Sequence, residues 1–257
     1  LCFALTGTTS SLTVSASPLV GFKISDNQAL ATLPLSFHLI GTMLAGIPAS
    51  LLMKNVGRRY GFMIGTGIGA FGAASAAGSI IYSNFYLFCI SIFCLGILSG
   101  FAQLYRFAAA DVATHEFKTK AVSLVMIGGI IAGFIGPTIA VKAKDLIADA
   151  PFAGSYLVVI ILHVVIVAIL FMIRLPQPTV EEQTGESRPW REIFSQPKII
   201  VAVLTSMVGY GVMAMIMTAT PLAMTVGSGH HFSDAAFVIQ WHVVGMFAPS
   251  FFTGSLI

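Results

Sequence analysis

Charge is what this chain has least of. Of its 257 residues, 13 are Lys or Arg and 10 are Asp or Glu, together 9%, where a soluble domain carries roughly a quarter. So little polar surface cannot face water, and lipid must be the solvent. The three cysteines, Cys2, Cys89 and Cys94, all lie in apolar runs without metal-ligand spacing, so they read as small apolar fillers. A net charge of +3 is too small to mark a nucleic-acid partner. No nucleophile elbow, phosphate-cradling loop or ATP site is present, which leaves primary active transport without support and calls for no cofactor and no metal. A polytopic enzyme would gather His, Asp or Glu at one membrane face, and the apolar runs lack such clusters. There is no initiator Met and no basic n-region, so the first run reads as a membrane span with its N-terminal edge missing rather than a signal peptide. The chain stops inside the apolar run Ser255-Leu256-Ile257, so both ends look truncated.

What is abundant is apolar sequence, 56% of the chain, in runs near or above the ~20 residues that span a bilayer as helix. Backbone groups in hydrocarbon must be paired within the segment, which favours helix. The expectation is an all-α membrane protein with eight visible transmembrane helices, at about 1–22, 28–53, 61–82, 86–112, 120–141, 153–173, 199–226 and 234–257. The 25 Gly and 11 Met suit close helix packing and adaptable contacts.

Joints between runs are short except one. Arg174 to Lys198 is polar, Pro-bearing and charged with both signs, including Glu181-Glu182 and Arg188-Pro189-Trp190-Arg191-Glu192. It divides the chain into a six-helix half (1–173), a linker (174–198) and the first two helices of a second half (199–257). Nine of the thirteen Lys and Arg fall on one side: Lys54, Arg58 and Arg59, Lys118 and Lys120, then Arg174, Arg188, Arg191 and Lys198. Three fall on the other, Lys23, Lys142 and Lys144, and Arg106 lies inside a span. This bias makes the N-terminus and the linker cytoplasmic in a multi-pass protein of the cell (inner) membrane.

The chain also repeats itself. Phe37-His38-Leu39-Ile40-Gly41 is echoed by Trp241-His242-Val243-Val244-Gly245, aromatic, His, two aliphatics, Gly, with 204 positions between His38 and His242. Ser15-Ala16-Ser17-Pro18-Leu19 is echoed by Thr218-Ala219-Thr220-Pro221-Leu222 at 203. Two concordant pairs point to an internal duplication of about two hundred residues, a known way of building secondary transporters.

Between the second and third runs, Ser50 to Gly61 contains Gly57-Arg58-Arg59. This resembles the loop motif of the major facilitator superfamily (Gly, then Asp-Arg, then Gly-Arg-Arg), with Lys54 and Asn55 standing where the family has Asp and Arg and Ser50 where it has Gly. Ala132-Gly133-Phe134-Ile135-Gly136-Pro137 resembles the family's Gly-Pro element, often called the antiporter motif, without its trailing Gly-Gly. Thr220 to Met224, His230 and Gln240 to Ser250 are similar to a branch of bacterial permeases that includes riboflavin transporters. The resemblance implies twelve helices in two halves, eight of them visible here, and secondary transport. It also implies that the Gly57, Arg58 and Arg59 loop gates the protein through contacts between the halves.

The candidate working residues each carry two readings. His38 and His242, deep in their spans, relay a proton or bind substrate, or else lock helices together by a hydrogen bond. Gln240 and Trp241 beside His242 offer an amide and a stacking surface for a polar aromatic ligand, though neighbours about 100° apart cannot all face one cavity. Arg106, with Gln103 and Tyr105, anchors an anionic or carbonyl-rich substrate, or snorkels to the cytoplasmic face beside Asp111. Gly57, Arg58 and Arg59 form a gating loop or serve topology alone. Gly129, Gly133, Gly136 and Pro137 allow close packing or a bend. His163 reads as structural, and His230-His231 as a solvated loop. The function expected is secondary transport of a small polar or aromatic metabolite by alternating access, with lipid, substrate and a coupled proton as partners and no nucleic acid. A channel or a non-transporting receptor on the same scaffold is the alternative, and saturable counterflow separates them.

Overall fold

A hydrocarbon solvent offers a bare N–H or C=O no partner, so each apolar run closes its hydrogen bonds on itself. The computed structural model describes residues 1–173, 175, 192 and 195–249, and within them there are nine α-helices and no strand. They are α1 Cys2–Ile24, α2 Leu33–Val56, α3 Arg58–Ile81, α4 Phe85–Ala102, α5 Tyr105–Val112, α6 Lys118–Lys142, α7 Ala153–Met172, α8 Pro197–Leu222 and α9 Phe232–Phe247. Helices α4 and α5 are one rod interrupted at Gln103 and Leu104, which makes eight rods. Most of the expected linker, and residues 250–257, lie outside the described residues.

Six stretches among the described residues are long and apolar enough to cross a membrane, and α1 is not one of them. Its 23 residues suffice in length, but hydroxyls crowd it from Thr6 to Ser17. It tolerates them because it runs through the middle of the bundle, packed against α6, α4, α7, α8, α2 and α9. Four hydroxyls donate to carbonyls one turn back: Thr6 to Cys2, Thr8 to Ala4, Thr13 to Thr9 and Ser15 to Ser11. That pairing removes the cost of a bare O–H in a dry interior.

The second and third spans come closer than their expected edges, 28–53 and 61–82. Helix α2 runs on to Val56 and α3 starts at Arg58, so Gly57 alone makes the reversal. Its φ of 86° is a backbone state that glycine reaches without Cβ strain. The basic residues therefore begin a helix instead of occupying a loop. Helix α8 ends as a π-turn, Ala223–Gly227, directly after Pro221, whose carbonyl accepts from the Thr225 hydroxyl at 2.6 Å.

Helices α2 and α4 make the closest seam. A side chain at Gly96 would run into the backbone of His38, and one at Gly100 would sit 2.8 Å from the Thr42 carbonyl. The Thr42 hydroxyl bridges the seam, 2.9 Å from the His38 carbonyl and 3.1 Å from that of Gly96. Substituting Gly96→Ala forces the two backbones apart and is expected to cost about 1–3 kcal/mol. Gly78→Ala, where nothing lies within 4 Å, should be neutral. Thermal unfolding of both variants in detergent checks this, and equal midpoints would refute the close seam.

Candidate functional site

The α2–α4 seam carries the first polar group. His38 is 4% exposed, and its Nε2 lies 3.4 Å from the Ser99 hydroxyl of α4. That hydroxyl donates to the Leu95 carbonyl at 3.1 Å and lies 2.7 Å from the Ser10 hydroxyl of α1. Three helices thus meet through one imidazole and two hydroxyls. Ser10 and Ser99 were not singled out from the sequence. Their signal was the density of hydroxyl residues in an otherwise apolar span.

A second group surrounds α7. His163 is 1% exposed, with Nε2 3.4 Å from the Thr9 hydroxyl. Farther along the same helix pair, the Tyr156 and Ser17 hydroxyls lie 3.0 Å apart. His163 thus takes part in the tie between α7 and α1.

Helix α6 uses its glycines on two sides. Val243 and Phe247, one turn apart on α9, fill the spaces left at Gly133 and Gly129. On the other side, a side chain at Gly136 would lie 2.7 Å from the Thr8 carbonyl of α1, and Pro137 beside it is buried. Along this seam stands Trp241, 53% exposed, its ring edge-on to Phe134 of α6 at 5.7 Å and Phe237 at 6.2 Å. Gln240 is half-buried, and the His242 Nε2 is buried without a hydrogen-bond partner. The three successive residues point in different directions, as the helical period requires.

At the break between α4 and α5 the expected trio separates. Gln103 is exposed in the break itself. Tyr105 stacks on Phe62 of α3, with ring centres 3.9 Å apart and planes at 12°, and belongs to a packed cluster with Met53 and Ile166. Arg106 stays available: its guanidinium lies 5.2 Å from the Phe107 ring and its Nε is buried and unpaired. Asp111, weighed above as its neighbour, pairs instead with Arg58. No hydrogen bond, ion pair or ring contact joins Arg106 to His38 or His242 among the described residues.

The basic pair at the start of α3 works at the membrane edge. Arg58 reaches Asp111 at the end of α5, with the two side chains 28% and 51% exposed. The Arg59 guanidinium donates to the Phe171 carbonyl at 2.8 Å and lies over the Phe171 ring at 5.5 Å. That carbonyl is in the last turn of α7, where the helix dipole favours a cation. These contacts stay within α3, α5 and α7. Among the described residues no group of three or more His, Cys, Asp or Glu could hold a metal.

The geometry offers a bundle with buried imidazoles, an aromatic patch beside an amide, and one cation at a helix break. Comparison with known proteins places it. The riboflavin transporter RfnT of Brucella anthropi is 42% identical over 258 residues, covering 99% of this chain and 64% of that protein. An uncharacterised MFS-type transporter of Bacillus subtilis, YdeG, is 26% identical over 95% of this chain and 60% of its own length. The chain therefore spans about three-fifths of the curated relatives it matches. An auto-inhibited POT-family peptide transporter aligns with a TM-score of 0.47 at 13% identity, covering 93% of this chain and 56% of that one. The Major Facilitator Superfamily model matches residues 1–257, and with a bundle of long apolar helices beneath that match, this multi-pass membrane chain belongs to the Major Facilitator Superfamily.

Proposed function

We propose that the protein is a secondary transporter that moves riboflavin or a similar polar aromatic metabolite by alternating access. The observation that carries this reading is the 42% identity to a riboflavin transporter over 99% of the chain. The site supports it chemically. A tricyclic flavin is flat and edged with carbonyls and ring nitrogens. Trp241 with Phe134 and Phe237 supplies aromatic surface, Gln240 an amide, and Arg106 unspent donors for carbonyl oxygens. His242, with a buried unpaired nitrogen, adds a hydrogen bond or accepts a coupled proton, and His38 is the other candidate for that proton.

In the same reading, residues 1–173 form one half, 174–198 a cytoplasmic linker and 199–257 the start of a second half in an inner-membrane protein with its N-terminus inside. The halves rock against each other along the α6–α9 and α1–α8 contacts. Gly129, Gly133, Gly136 and Pro137 let these backbones slide at close range. The Arg58 and Arg59 contacts support a gating role of a particular kind. By tying α3 to α5 and α7, they make the first half move as one body. Nucleic acid has no place in this scheme, and a channel is separated from it by counterflow.

In proteoliposomes of the full-length protein, external riboflavin should exchange with preloaded riboflavin. Trp241→Ala should weaken saturable uptake by about two- to tenfold, the worth of one aromatic contact of roughly 0.5–1.5 kcal/mol. Unchanged saturation would remove Trp241 from the site. For the gate, Arg58→Asp and Asp111→Arg should each slow transport while costing less than about 1 kcal/mol of stability, because the pair is part-exposed. The double exchange should recover much of the rate. A double variant no better than either single would refute the brace.

A further inference from the structure

Two imidazoles approach one turn of α1 from different sides. His38 reaches it through Ser99, whose hydroxyl lies 2.7 Å from Ser10. His163 reaches it directly, 3.4 Å from Thr9. Thr9 and Ser10 are successive residues, so their hydroxyls project about 100° apart and both contacts depend on the rotation of the same turn. Pro18 lies farther along α1, where the missing N–H allows a bend.

Both rings leave Nδ1 buried and without a hydrogen-bond partner. Unpaired buried nitrogens are costly and rare, and a residue that keeps one invites a reason. Proton counting supplies it. Ser99 gives its one proton to the Leu95 carbonyl, so it accepts from His38 Nε2–H and from Ser10. That tautomer leaves the Nδ1 lone pair of His38 open. At His163 the Thr9 hydroxyl lies 3.4 Å from Nε2 and Nδ1 is again buried without a partner, so in either tautomer one ring nitrogen carries no proton.

Among the described residues no ion pair or charged hydrogen-bond partner is found at either ring. On α1, α2, α3 and α6 the charged residues sit at helix ends, Lys23, Lys54, Arg58, Arg59, Lys118, Lys120 and Lys142, and α4 and α7 carry none. Other titratable groups nearby are Cys2, Cys89, Cys94, Tyr105 and Tyr156, all neutral in their ordinary state. An imidazolium here would have no counter-charge, so either ring can take a proton only when water reaches it.

We propose that His163 is a second proton-carrying residue of the transport cycle, paired with His38 across the Thr9–Ser10 turn of α1. Both imidazoles are buried here, and movement of α1 exposes one of them to water while the other stays buried. The proton adds from hydronium to the ring nitrogen that carries none, giving imidazolium and water. It returns to water on the other side of the membrane, and the flavin is neither oxidised nor reduced. This inference rests on the transport reading above and deepens it.

The test uses the full-length protein in proteoliposomes with radiolabelled riboflavin, measured two ways. Counterflow without a pH gradient reports exchange alone, and uptake driven by an inward proton gradient reports coupling. His163→Gln keeps a donor for Thr9 but cannot carry a proton. It should lower gradient-driven uptake by about tenfold, within the usual range for coupling between two ligands, and change counterflow by less than about twofold. Thr9→Val, which removes the hydroxyl at nearly constant volume, should shift the pH at which uptake is half-maximal. Gradient-driven uptake equal to wild type in His163→Gln would overturn the proposal. So would loss of both activities from a correctly inserted, monodisperse variant, because that marks a structural role. Wild-type exchange that no pH gradient stimulates would also overturn it and leave the transport reading intact. Absence of wild-type riboflavin exchange would remove the transport reading and the inference with it.

Discussion

A polar group buried among packed helices is costly unless the protein itself supplies its partner. This constraint shapes α1 above all. A helix so rich in Ser and Thr would be poorly placed against lipid, where an unpaired hydroxyl is costly. Surrounded by other helices, its hydroxyls, that of Ser11 excepted, turn back to carbonyls of their own helix or reach Ser99, Tyr156 and His163 on others. The same residues that make α1 too polar to count as a span by composition place it at the centre, where it touches helices from both ends of the described chain.

Glycine sets the distances at which those contacts form. Where Gly96 meets His38 and Gly136 meets Thr8, backbone approaches backbone without an intervening side chain. Helix α6 does this toward α1 and, through Gly129 and Gly133, leaves room for large side chains of α9. Association in lipid gains little from the hydrophobic effect, so close van der Waals contact must supply the attraction. A helix that packs closely on two sides can stay in contact while its neighbours shift, which a helix bristling with large side chains could not.

The architecture was legible because its cause is compositional. Long apolar runs, sparse charge and short joints specify helices and their number before any contact is known. Boundaries were less so: the expected joint at 54–60 shrinks to Gly57, because the sequence does not announce that one residue at positive φ can carry the whole reversal. Pairings between distant residues were not legible at all. Arg58 and Asp111 are far apart in sequence, and the stretch around Asp111 offers Arg106 as its neighbour and gives no sign of Arg58. Gln103, Tyr105 and Arg106 share a stretch of sequence and yet part at the α4–α5 break, with Tyr105 stacked on Phe62. His163 looked like packing, and what sets it apart is the unpaired nitrogen, visible only once its surroundings are built.

Charge and neutral polarity divide the work by depth. At the membrane edge water screens ions and keeps them affordable, so Arg58, Asp111 and Arg59 can hold α3, α5 and α7 together without a heavy desolvation cost. Inside, a fixed ion pair would lock the structure, since breaking it strands two charges in a dry medium. Neutral hydroxyl–imidazole contacts at 3.4 Å are weak enough to part and specific enough to re-form. On the proposed alternating-access reading, strong contacts belong where bodies are held rigid and weak ones where they turn, and the chain distributes its few polar residues in that way.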